Sequence, residues 1–297
     1  MTDTSPLVQL SAALSALTAD AGRYVAEVLP EGRDRITGVL WKPGAVVVSE
    51  QALPDAGGYE VRVGTETVSA TLAGRDPATN VAVLKLGREI RGTLPAFSVP
   101  GVGALALALS ASDDGIAAQL AMVRSVGPAW HSLAGGTIDH RIVLDRTLRL
   151  GDDGGPVVGA DGALIGIATL GAGRQSLVIP AATVERAATA LIEKGSVERG
   201  WLGLALRPVA IPESLRPQSS QRVGLMVMEV VAEGPAAKAG VLAGDILLSA
   251  GGTPATRPRH VARQLAAAGV GRRLTLTIAR AGAIVTSEAT IEARKSA

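Results

Sequence analysis

The chain has no cysteine and very little aromatic character. The first absence excludes disulfides, cysteine-ligated zinc and thiol catalysis, and says nothing about compartment. The second is unusual: aromatics make up 2% of 297 residues whose apolar share is 47%, so the interior must be filled by Val, Leu, Ile and Ala. Such a core packs branched chains against small ones. Charge of one sign is lacking too. Lys plus Arg number 29 against 27 Asp plus Glu, a formal +2, and the pI near 9.2 reflects a flat titration curve, so the composition does not point to nucleic acid. The densest basic stretch, Arg257 to Arg263, is interrupted by Pro258, His260, Val261 and Ala262 and reads as a solvated helix face. No apolar run approaches the roughly 20 residues of a membrane span. Met1 to Pro6 lacks the basic start of a secretory leader, and Leu7 to Thr18 is short and broken by Gln9 and Ser11. A chain complete as it stands is therefore expected in the cytoplasm, and one that has lost a leader in the periplasm or another extracytoplasmic space.

What is present is a change of rhythm. Leu7, Leu10, Leu14 and Leu17 fall at helical spacing and predict an amphipathic N-terminal helix over residues 1–22 that packs on the body of the protein. From Arg23 to about Ile179 the pattern becomes a dozen short apolar runs punctuated by glycine, such as RYVAEVL, AVVVSE and ALIGIATL, which predicts a pair of β-barrels. AATVERAATALIEKG, from 181 to 195, reads as a helix stopped by Gly195. A domain of barrels over 23–195, a polar linker over 196–200 and an α+β unit over 201–297 follow, the last with a helix capped by Thr256.

In that last unit, RGWLGLAL (199–206) and GPAAKAGVLAGDILLSAGGTP (234–254) resemble a PDZ domain in its bacterial, circularly permuted form. Gly240 and Gly244 allow positive φ at turns, and Asp245 can accept from backbone amides beside the strand Ile246 to Leu248. Three stretches of the β region then resemble the HtrA/Deg family of trypsin-fold serine proteases with C-terminal PDZ domains. GAVVVSEQAL (44–53) stands where those proteases have Asn-Asn-His or Asn-Ala-His, RDPATNVAVLKL (75–86) where they have Asp-Pro-x-x-Asp-Leu-Ala-Val, and LDRTLRLGDDGGPVV (144–158) where they have Gly-Asn-Ser-Gly-Gly-Pro. The resemblance implies a mostly β fold, a trypsin-like double β-barrel followed by an α+β PDZ domain. It also places Gln51 at the position of the general base, Asn80 at that of its orienting carboxylate and Asp153 at that of the nucleophile. Neighbours one residue away, Glu50 and Ala52, Thr79 and Val81, Asp152 and Gly154, restore none of the three.

Acyl transfer by that route needs a hydroxyl deprotonated by an imidazole that a buried carboxylate holds in the right tautomer. A Gln amide has no usable proton affinity near neutral pH, and loss of triad members removes about 10⁶-fold in turnover. A carboxylate at Asp153 would also sit beside the oxyanion turn Gly151, Asp152 and Asp153, where it would repel the developing charge. The expectation is that it folds over to accept the amides of that turn, and that the chain is no enzyme but an inactive family member acting as scaffold or adaptor. Two alternatives use the same residues: a chaperone-like oligomer, or a hydrolase with unconventional residues. A cation site of Asp145, Asp152 and Asp153, and a relocated triad of His131 or His140 with Ser132, are the other readings; no metal and no cofactor is expected.

The surviving task implied by the resemblance is recognition of peptides or protein C-termini, with no nucleic acid and no membrane span. Trp201, Leu202, Gly203 and Leu204 would form the carboxylate-binding loop, Arg199 would favour the carboxylate, and Arg257, Val261 and Leu265 would line the helix side. The family also implies trimers held by N-terminal aromatic contacts, for which this chain offers Tyr24 and Trp41.

Overall fold

Two units make up the chain, 1–197 and 198–297. The structure is a computed structural model and describes residues 5–132, 135–171, 173, 175–219 and 221–294; Met1–Thr4, read above for a leader, lie outside them. Helix α1 (Pro6–Gly22) opens with a proline, whose missing N–H costs nothing in a first turn. Its C-terminal half packs, with Leu14 and Leu17 against the core, whereas Leu7 and Leu10 are exposed, so the expected stripe is buried only along half its length.

The first barrel follows. Strands β1 (Val25–Pro30), β2 (Ile36–Lys42), β3 (Ala45–Ser49), β4 (Tyr59–Val63), β5 (Glu66–Asp76) and β6 (Val81–Leu86) close in the order β1-β2-β3-β6-β5-β4. In β4 the alternation is plain: Tyr59, Val61 and Val63 face inward and Glu60 and Arg62 outward. The second barrel is built from β7 (Leu105–Ser112) and β8 (Gly115–Gly127), then, after a hairpin of β9 (Trp130–His131) and β10 (Thr137–Ile138), from β11 (Arg141–Leu144), β12 (Pro156–Gly159), β13 (Leu164–Leu170) and β14 (Ser176–Pro180). It closes as β11-β14-β13-β12-β7-β8. Helix α2 (Ala181–Lys194) ends, as its sequence predicts, on a left-handed Gly195 with φ 71°. It packs Val184, Ala187, Ala188 and Leu191 into the first barrel's core.

In the C-terminal unit β15 (Arg199–Trp201) precedes β16 (Leu204–Ala210), a short α3 (Arg216–Ser219), β17 (Val223–Val230), α4 (Pro235–Lys238), β18 (Ile246–Ala250), β19 (Thr253–Pro254), α5 (Pro258–Ala268), β20 (Arg273–Arg280), β21 (Ala283–Thr290) and β22 (Glu292–Arg294). The sheet runs β16-β17-β18-β20-β21, with β19 on β18, so β16 is an edge strand; β15 pairs with β22. Thr256 does not cap α5. Its hydroxyl lies 3.2 Å from His260 Nδ1, and Arg257, in extended backbone, takes the N-cap place ahead of Pro258.

The turn ahead of β18 is fixed by an ion pair whose carboxylate is buried. Gly240 and Gly244 adopt φ of 76° and 93°, and directly after the second the chain delivers Asp245, which is 2% exposed. Arg280 donates from Nε to Oδ1 at 2.8 Å and from Nη2 to Oδ2 at 2.7 Å, and the Leu242 N–H donates to Oδ2 at 2.8 Å. Burial works to raise the Asp245 pKa, but Arg280 and the Leu242 amide hold it below the usual carboxylate range. Stability from a lowered carboxylate pKa is present above the unfolded value and is lost as pH falls through the folded one. Arg280→Ala is therefore expected to destabilise the fold at pH 7, by less than the loss of a fully buried partner because a third of the Arg280 side chain is in solvent. Urea unfolding should show that deficit shrinking in acid; an equal deficit at pH 3 would remove the ion pair as its cause.

Candidate functional site

The three positions singled out by the motifs come together at the junction of the barrels. The 3-10 turn Glu50–Ala52, at the end of β3, carries Gln51. Asn80 sits ahead of β6 with φ 57°, a left-handed conformation that Asn tolerates better than most residues. It is delivered by the Asp76 turn, whose carboxylate accepts from the Ala78 N–H. Asp153 lies in the loop entering β12. Gln51 Nε2 donates to Asp153 Oδ2 at 2.7 Å, with Thr169 Oγ1 at 3.0 Å and the Leu170 carbonyl at 3.1 Å also facing it. Two of these three groups can only accept, which fixes the amide's orientation. The Gln51 N–H donates to Asn80 Oδ1 at 2.8 Å, and Asn80 Nδ2 donates to Thr169 Oγ1 at 2.6 Å. Ser49 Oγ stands 2.9 Å from Asn80 Nδ2.

This arrangement corrects one expectation about the turn. The carboxylate that folds back is that of Asp152, not Asp153: Asp152 Oδ2 accepts from the Arg149 N–H at 2.8 Å and Oδ1 from Ser110 Oγ at 3.0 Å. Asp153 faces Gln51 instead, because a strongly donating amide across the junction competes for it. Thr37 Oγ1 donates to the Gly151 carbonyl at 2.7 Å and accepts from the Ala111 N–H at 3.0 Å, tying the turn to both barrels. Ser49, Thr37 and Thr169 were not singled out by sequence; single hydroxyls inside apolar strands carry no motif.

Asp153 is 3% exposed, and its Oδ1 has no hydrogen-bond partner among the described residues. Burial pushes its carboxyl above the usual range, and the Gln51 amide offsets part of that rise. Outside this network opens a cleft of ≈ 840 Å³, lined among others by Asp34, Arg35, Ile36, Gln51, Gly151 and Asp153. Arg35 is held there by Glu27 at 2.8 Å and by Asp113. Among the described residues no hydrogen bond joins His131 or His140 to Ser132. His131 lies 3.4 Å from Thr137 Oγ1, and Ser132 Oγ accepts from the Gly136 N–H. Asp145 accepts from the Met122 N–H, and among the described residues no three His, Cys, Asp or Glu side chains gather where they could hold a metal.

In the C-terminal unit, Trp201 to Leu204 turn into the edge strand β16. Gly203 has φ 76°, and a Cβ there would lie 3.2 Å from Trp201 Cζ2, so the indole rests against it. Among the described residues the N–H groups of Leu202 and Gly203 donate to no backbone carbonyl. Leu202, Val261 and Leu265 face inward, 3%, 4% and 8% exposed, while Leu204 packs at the edge of the same core. Arg257 is exposed and Arg199 half-buried.

Comparison with known proteins fits this geometry. The PDZ domain family matches residues 200–291. A probable periplasmic serine endoprotease, DegP-like, of Brucella suis is 32% identical over 254 residues, 82% of this chain and 49% of its own. Its namesake in Bartonella henselae is 30% identical over 250 residues, 80% of this chain and 49% of its own. The chain thus spans about half the length of these relatives. Among solved structures, the HtrA-type protease AlgW with decapeptide (TM-score 0.75, 23% identity, 94% of this chain and 98% of that one) and the serine endoprotease from Yersinia pestis (TM-score 0.75, 24%, 94% and 97%) share the fold.

The relatives' names correct the expectation that the chain is no enzyme. Proteins aligned along four fifths of it are named serine endoproteases, and the substitutions at 51, 80 and 153 speak to one chemical route at one place rather than to hydrolysis by the family.

Because the folded chain holds the Asp153 proton to higher pH than the unfolded chain, native stability falls as pH rises from the ordinary carboxylate range through the raised value and is level above it. Asp153→Asn is expected to stabilise by about 1 kcal/mol at pH 8, the order of an unpaired buried polar group, and by nothing near pH 3. Urea titrations at the two pH values check this; a gap independent of pH would mean that ionisation of Asp153 carries no cost.

With twin barrels, a PDZ match and DegP-like relatives all on one chain, it belongs to the HtrA/DegP family of trypsin-fold serine proteases with a C-terminal PDZ domain.

Proposed function

We propose that this HtrA-like chain captures peptides by their free C-termini at the junction of the Trp201–Leu204 loop with β16, in the periplasm or another extracytoplasmic space. The observation that carries the reading is a pair of successive N–H groups, of Leu202 and the left-handed Gly203, that donate to no backbone carbonyl among the described residues, at the mouth of an unpaired sheet edge. Successive amides in such a turn form an anion-binding concavity, and a free strand edge accepts an added strand. Peptide-bound neighbours of the same fold support the reading, as does the word periplasmic in the names of the relatives. Arg199 adds positive charge at the loop.

Calorimetry with the full chain tests this. A peptide with an apolar last residue and a free carboxylate is expected to bind, and its C-terminal amide to bind ~10- to 100-fold more weakly, since charge-assisted hydrogen bonds contribute roughly 1.5–3 kcal/mol. Gly203→Ala, which strains a positive φ and crowds Trp201, should weaken the free acid and leave the amide unchanged. Equal binding of acid and amide would sink the proposal.

A further inference from the structure

The formal charge of +2 conceals an uneven division. Residues 198–297 carry 13 Lys and Arg against 7 Asp and Glu, a formal +6, whereas residues 1–197 carry 16 against 20, a formal −4. Much of the excess lies around the edge strand. Arg207 on β16, Arg257 at the N-cap of α5, and Arg259 and Arg263 on α5 are all exposed, and none of the four makes an ion pair among the described residues. Other basic residues of the unit do: Arg216 with Glu213, Lys238 with Glu292, Arg273 with Glu288 and Arg280 with Asp245.

The placement of these arginines is set by the two elements. Val261 and Leu265 turn one face of α5 into the core that Leu204 and Leu206 of β16 also cover. Arg259 and Arg263, four residues apart, therefore share the opposite, solvent face. Arg207 alternates with Leu206 and points to the other side of the strand. Neither β16 nor α5 contains an acidic residue, and the single one on β17 is Glu229, opposite Ala205. Because α5 and β16 are in contact, a strand added along β16 would thus run beside positive charge from both elements, which screening reduces as salt rises.

We propose that the β16 edge selects acidic chains: a free C-terminus with Asp or Glu in the half-dozen residues before it. The inference rests on the C-terminus reading above and adds the character of the ligand upstream. A single-stranded nucleic acid is the weaker match to the same charge, because such ligands stack on aromatic side chains and Trp201 is the one aromatic residue in 198–297.

The test is calorimetry on the full chain with two decapeptides that share their last three apolar residues and free carboxylate, one with four Glu upstream and one with four Lys. The acidic peptide is expected to bind ~10-fold more tightly in 50 mM NaCl, with the gap closing to about 2-fold or less in 500 mM NaCl as rim charges are screened. Arg259→Glu with Arg263→Glu, both at exposed positions, should invert the preference. Equal affinities at low salt, with both peptides still weakened by amidation, would overturn the selection by charge and leave the C-terminus reading standing; binding of neither peptide would overturn both. A thymidine 12-mer that binds more tightly than the acidic peptide and displaces it would reassign the arginines and overturn the inference.

Discussion

A Cβ at position 155 would lie 2.0 Å from the Leu109 carbonyl oxygen, and one at 154 would lie 2.4 Å from that of Thr37, where Gly154 already has φ 93°. The chain therefore enters β12 by a path open only to glycine, pressed between strands of both barrels. That close approach places Asp152 and Asp153 on opposite sides of the turn. One carboxylate returns to its own loop, and the other is pushed toward Gln51 and Asn80. Remove the glycines and no side chain choice at 153 could reproduce the site, because the backbone carrying it would lie elsewhere.

Among the described residues, the polar groups packed at this junction form a mutually satisfied set with one exception. Gln51, Asn80, Ser49 and Thr169 exchange hydrogen bonds across the two barrels, whereas Asp153 keeps an unmatched oxygen out of water. A group of that kind is costly in the folded state. It persists here in a place where the surrounding backbone leaves little freedom to rotate it away.

The sequence made the scaffold legible for physical reasons that differ from element to element. Apolar alternation in YEVRV, the Gly195 stop and the two glycines flanking Val241 to Ala243 each dictate a local conformation, and the structure shows them as strand, helix end and turn. Positions 51, 80 and 153 were found because motif spacing ties them to strand ends. Their partners were not, since Thr169 lies 89 residues from Asn80 and 118 from Gln51 along the chain, and nothing local marks it. The part played by Asp152 was misread for a related reason: two adjacent carboxylates look alike until a neighbour such as Ser110 distinguishes them. Activity was the poorest inference of all. Side chains at three positions state what one mechanism lacks, while the relatives' names concern the family as a whole.

The indole of Trp201 lies against Gly203 and near Gly234, beside the Leu202 and Gly203 amides that find no backbone acceptor among the described residues. The two other tryptophans, Trp41 and Trp130, belong to the barrel unit, one buried and one half-buried. The C-terminal unit consequently carries a single intrinsic fluorophore, placed where the chain end proposed above would change its solvation, so that its emission would follow binding in unlabelled protein.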